Sequence, residues 1–234
     1  MPRSDLDYDR MKVQSMQIEF SRLHREKEVS ENGTYEIINA SFIADKQSIF
    51  GVVNQDYVEK ELLWYLSTNR NISAMIPPVP KIWQQISSTK GEVNSNYGWC
   101  IFSLENRNQY QNSIMRLLEN KNSRQAIMIY TRPSIHDDFD KNGMSDFICT
   151  NTVQLMIRNG HLHYIVSMRS NDAVFGYKND KAWHDYVFNM ALKDLLKTYP
   201  ELKKGVMYWN AGSLHVYPRH FHLIENMYDK RRGI

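Results

Sequence analysis

Apolar positions recur along this chain with two periods, one helical and one alternating, and the switches between them mark its elements. Residues 5–27 read as an amphipathic helix, with Met11 and Ile18 near helical spacing. Asn32-Gly33 marks a turn, and Tyr35 to Ile43 is rich in strand formers. A second helix is expected over 54–68, opening on Asn54 as its cap, and a shorter one over 109–120. Apolar runs follow at 126–130, 147–157 and 161–168, and the last two flank Arg158-Asn159-Gly160, a hairpin signal. The remaining pattern predicts a helix over 181–197, a long strand over 205–217 and a final helix over 219–229. Strands and helices mix without regular βαβ alternation, so the expected class is α+β, with a largely antiparallel or mixed sheet covered on one face. Neither a repeat nor a linker breaks the chain. Its densest punctuation, Ile76-Pro77-Pro78-Val79-Pro80, is too short to separate domains, so 1–234 is read as one domain.

Composition narrows the class without choosing a function. With 234 residues the chain should bury roughly 70% of its unfolded surface and needs no covalent staple. Hydrophobic residues make 42% and charged residues 24%, which argues against disorder. A net charge of +3 is too weak an excess to imply nucleic acid as a partner. No apolar run approaches the ~18 residues of a membrane span, and Met1-Pro2-Arg3-Ser4-Asp5-Leu6-Asp7 lacks the apolar stretch of a secretory signal. Two cysteines, Cys100 and Cys149, make neither a disulfide framework nor a zinc site, so a cytoplasmic setting and no metal are expected.

Three stretches carry candidate chemistry. Cys149 has polar neighbours, Thr150-Asn151-Thr152, and a thiol near a cation is a candidate nucleophile, although a buried core cysteine is the commoner case. Cys100, beside Trp99 and Ile101, reads as structural. Arg169-Ser170-Asn171-Asp172 interrupts an apolar run. Guanidinium and hydroxyl together suit an oxyanion such as phosphate, and a solvated strand end is the alternative. In Gly212-Ser213-Leu214-His215-Val216-Tyr217, alternation puts Ser213, His215 and Tyr217 on one strand face, where they can line a sugar pocket or simply meet water.

Order and spacing tie these stretches together. Glu61-Leu62-Leu63-Trp64 comes first, then Ile82-Trp83 and Tyr97-Gly98; Arg169 follows Cys149 by 20 positions and Asp180 by 31, and His215 and Tyr217 close the set. This pattern resembles the thymidylate synthase family. Two departures, Asp180 where the family places Asn and Thr150 where it usually places His, make the chain similar to the members that hydroxymethylate deoxycytidylate.

The resemblance implies a covalent mechanism. Cys149 would add to C6 of the pyrimidine, C5 would take a one-carbon unit from 5,10-methylenetetrahydrofolate, and water would complete 5-hydroxymethyl-dCMP with release of tetrahydrofolate. Methylation of dCMP or dUMP, with dihydrofolate as product, is the alternative. Glu61 would handle water and protons, or else be one more surface glutamate. Asp180 would read the amino edge of cytosine, or else cap the helix expected from 181. Arg169, Ser170 and Arg124 would hold phosphate, His215 and Tyr217 the 3′-hydroxyl, and Asn151 would also contact the nucleotide. Trp83, Asp172 and Tyr97 would face the folate, with a packed aromatic and a turn residue as the alternatives for Trp83 and Asp172. Family precedent further implies a homodimer that shares Arg124 across its interface. Where the family has an Arg-Arg pair, this chain has Arg124-Gln125, and the loss of one charged partner is worth about 1.5–3 kcal/mol of phosphate affinity.

Overall fold

The computed structural model describes residues 11–232. Its helices are α1 (Val13–Glu26), α2 (Gln55–Leu66), α3 (Lys81–Ile86), α4 (Tyr97–Phe102), α5 (Gln109–Glu119), α6 (Ile135–Asp138), α7 (Gly176–Leu196) and α8 (Phe221–Arg232). The strands are β1 (Tyr35–Ile43), β2 (Ile127–Ile129), β3 (Thr150–Arg158), β4 (His161–Asp172) and β5 (Lys203–Val216). They form one five-stranded sheet in the order β1-β5-β4-β3-β2, which gives the α+β class expected from the pattern. Residues 5–10 of the first expected helix lie outside the described residues.

Most elements follow from local chemistry. Asn54 caps α2, its side chain accepting from the Tyr57 amide at 3.1 Å. The hairpin between β3 and β4 turns on Asn159 and Gly160 with φ of 51° and 74°, the left-handed pair that Asn-Gly adopts most readily. Along α7, Tyr177, Lys181, His184, Phe188, Ala191 and Leu195 are buried at three- and four-residue intervals, one continuous face. That helix begins five residues earlier than the pattern predicts. Asp180 therefore lies inside α7, which removes its helix-cap alternative.

The described chain gathers into two compact units. The first takes the chain up to Val53, Ser167–Tyr186 and the chain from Val206. In it α1 packs on β1 and α8, and β1 pairs antiparallel with β5 from Tyr35 opposite Val216 to Ile43 opposite Tyr208. The second takes Asn54–Val166 and Val187–Gly205. In it α4 packs on α2 and α5, and β2 pairs antiparallel with β3.

Candidate active site

The second unit holds the thiol. Cys149 immediately precedes β3, and the three residues before it are tied down by Asp146. One carboxylate oxygen of Asp146 accepts from the backbone amides of Asn94 and Ser95, both at 2.7 Å, and the other from Ser95 Oγ at 2.6 Å. Asn94 returns a bond from Nδ2 to the Asp146 carbonyl at 3.0 Å. Its Oδ1 accepts from Arg70 at 3.0 Å and Arg132 at 2.8 Å, and both guanidiniums lie over the Trp99 ring. Arg132 is in turn paired with Asp138 at 2.8 Å. Cys149 itself is half-buried, which sets aside the sealed core cysteine. Cys100 is the sealed one, 1% exposed, with burial pushing its thiol up to about 12. Asn151 enters β3 with its carbonyl accepting from the Tyr130 amide at 2.9 Å. Arg124 is exposed just before β2 and has no ion-pair partner among the described residues.

Glu61 is no surface glutamate. It projects inward from α2, 5% exposed. Tyr57, one turn earlier, donates its hydroxyl to Glu61 Oε1 at 2.7 Å, and the Trp83 indole N–H donates to the same oxygen at 3.1 Å. Burial raises the carboxyl to about 7, against which these two donors pull. Trp83 is 7% exposed and meets Trp64 edge-on at 4.9 Å. Tyr97 is buried, stacked on Tyr65 at 5.3 Å.

The first unit holds the oxyanion and sugar candidates. β4 continues through Asp172, so Arg169 and Ser170 sit on regular strand, Arg169 exposed and Ser170 half-buried. Gly212 lets β5 approach there: a Cβ at that position would stand 2.8 Å from the Arg169 carbonyl oxygen. Asp172 Oδ1 accepts from the Val174 amide at 2.8 Å, while Oδ2 has no hydrogen-bond partner among the described residues. Asn171 Nδ2 donates to Asp180 Oδ2 at 2.8 Å. His215 is buried, and Tyr217 meets its ring edge-on at 4.9 Å. Burial lowers the His215 pKa, against the pull of Asp172 and Glu36.

Several supporting residues were not read from the sequence. Tyr57 had a usable signal, since it sits four residues before Glu61 on one helix face. Asn171 lay within the Arg169–Asp172 stretch, but nothing there tied it to position 180. Asp146 with Asn94, and Glu36 with Ser213, pair across 52 and 177 positions, beyond any local pattern.

Fold and chemistry together define the class: an α+β enzyme with an accessible thiol and a carboxyl that titrates in the neutral range. The sequence model of the thymidylate synthase family matches residues 42–232, and the chain belongs to that family. It is 49% identical to the deoxycytidylate 5-hydroxymethyltransferase of Enterobacteria phage T6 over 223 residues, 91% of each chain. It is 48% identical to the protein of that name from Enterobacteria phage T4, again over 91% of each. The thymidylate synthase of Francisella tularensis subsp. holarctica strain LVS is 25% identical over 203 residues, 80% of this chain and 72% of that protein.

The buried carboxyl carries a stability consequence. Between its ordinary value of 4.5 and its folded value of about 7, the native protein holds a proton that the unfolded chain has lost, so stability falls as pH rises through that window. The full difference is about 3 kcal/mol. Glu61→Gln abolishes this dependence. In urea unfolding, the variant should gain about 3 kcal/mol on the wild type between about pH 4 and about pH 8. An offset that is the same at both pH values contradicts the buried titration.

Proposed function

We propose that the chain is a deoxycytidylate 5-hydroxymethyltransferase: it converts dCMP, 5,10-methylenetetrahydrofolate and water into 5-hydroxymethyl-dCMP and tetrahydrofolate. The observation that carries this reading is the near-half identity, over nine-tenths of both chains, to phage enzymes of that name, with an acidic side chain at position 180.

In this reading the Cys149 thiolate adds to C6, the C5–C6 double bond opens and C5 becomes nucleophilic. The folate supplies the one-carbon unit that C5 takes. Asp172 fits the folate by its Oδ2, an acceptor suited to the N–H groups of a pterin, and Trp83 and Tyr97 supply aromatic surface for its rings. Glu61, with its pKa at about 7, is half-charged near neutrality. It takes a proton from the water that becomes the new hydroxyl and gives protons back without a large energetic step. C5 gives up its proton as the carbon–nitrogen bond to the carrier breaks, water adds at the exocyclic carbon, and expulsion of Cys149 restores the C5–C6 double bond.

Asp180 sets the base. A carboxylate accepts from the N4 amino group of cytosine and from a protonated N3, whereas uracil presents O4, an acceptor, at the same edge. The bond from Asn171 holds one oxygen of Asp180 as an acceptor. Arg169 and Ser170 take the 5′-phosphate, His215 and Tyr217 the 3′-hydroxyl, and Asn151 the nucleotide face beside the thiol. The exposed, unpaired Arg124 completes the phosphate site of a second copy in a homodimer. The setting of such a reaction is the cytoplasm of a host bacterium.

Mass spectrometry of the product from dCMP, formaldehyde and tetrahydrofolate tests the reaction. The expected nucleotide is dCMP plus one formaldehyde unit, with no dihydrofolate formed. A methylated nucleotide with dihydrofolate means the methylase reaction, and unchanged dCMP means neither. Asp180→Asn tests the base reading: preference should move from dCMP toward dUMP by at least about tenfold in kcat/KM, since each mispaired donor or acceptor leaves a buried polar group unmet. Unchanged selectivity assigns base recognition elsewhere.

A further inference from the structure

The face of β5 that carries Ser213 and His215 contains a hydrogen-bond relay whose direction follows from the chemistry of its members. Ser213 Oγ is in hydrogen-bond contact with Glu36 Oε1 and, at 3.2 Å, with His215 Nδ1. Glu36 lies on β1 directly opposite His215. A carboxylate has only acceptors, so the single Ser213 hydroxyl proton goes to Glu36. Ser213 Oγ can then only accept from His215, whose ring is also held by the Ser213 backbone carbonyl. The ring proton must therefore sit on Nδ1, and in the neutral ring Nε2 carries a bare lone pair. Burial of His215 favours that neutral ring.

We propose that Glu36, acting through Ser213, is a positioning residue that locks His215 as the Nδ1–H tautomer, so that its Nε2 accepts a hydrogen bond from the nucleotide's 3′-hydroxyl. The ligand assignment rests on the reading of the protein as a deoxynucleotide enzyme; the tautomer does not. The relay makes a free 3′-hydroxyl the required donor. A 3′-deoxy, 3′-O-methyl or 3′-phosphate nucleotide brings no proton there and leaves a buried acceptor unmet.

Two measurements separate the parts. A long-range proton–nitrogen NMR spectrum of the wild-type protein distinguishes the protonated from the bare nitrogen of the His215 ring. The expected result is a neutral ring with its proton on Nδ1, replaced by the other tautomer or a mixture in Ser213→Ala and Glu36→Gln. A proton on Nε2 in the wild type overturns the relay whatever the enzyme does. Kinetics with dCMP and 2′,3′-dideoxy-CMP then test its use. In the wild type, removal of the 3′-hydroxyl should raise KM about fivefold or more, with kcat changed less. In Ser213→Ala the same removal should raise KM by less than about twofold, because the acceptor is no longer held in place. An equal penalty in both proteins overturns the role of Ser213. Absence of dCMP turnover in a wild type that shows the expected tautomer overturns the functional reading and leaves the relay standing.

Discussion

A buried carboxylate, Asp146, ties the segment just before Cys149 to the Asn94–Ser95 segment. Asp146 accepts three short hydrogen bonds from the Asn94–Ser95 segment and so clamps the chain three residues before the thiol. Charged acceptors make the stronger hydrogen bonds, roughly 1.5–3 kcal/mol each, and loss of such a partner inside a protein leaves donors that nothing else meets. The Asn94 side chain passes the constraint on to Arg70 and Arg132, which lie over Trp99. The chain is thus held at position 146, three residues before the thiol.

Glu61 is a second buried carboxyl, and burial raises it as it raises Asp146. Asp146 is surrounded by donors to both of its oxygens, whereas Tyr57 and Trp83 satisfy only Oε1 of Glu61. Desolvation then wins, and the carboxyl moves into the range where it can both give and take a proton near neutral pH. The fold carries a stability cost for this above the ordinary carboxylate range.

Much of the fold was legible because the local chemistry was unambiguous. Asn159-Gly160 has the turn residues that a tight hairpin demands, and β1 came from its strand formers with the observed bounds. α7 starts at Gly176, five residues before its expected start, because a glycine in the first turn carries little helical signal. The short helices α3, α4 and α6 have too few turns to show a period. At the candidate site, chain order made Cys149 and Glu61 candidates, but their environments were not legible. That Glu61 is buried, that Asn171 holds Asp180 and that Glu36 reaches Ser213 are properties of packing between segments distant in the chain or of a turn without a pattern.

The central claim is a bond between Cys149 Sγ and C6 of a cytosine nucleotide, and 5-fluoro-dCMP tests it most directly. Fluorine at C5 cannot leave as the proton does, so after the one-carbon unit is attached the reaction stalls with sulfur and ring still joined. Protein incubated with 5-fluoro-dCMP and 5,10-methylenetetrahydrofolate should show, by intact mass and peptide mapping, one nucleotide and one folate carried on the peptide that contains Cys149. Unmodified protein, or a label on Cys100 or any other residue, contradicts the account.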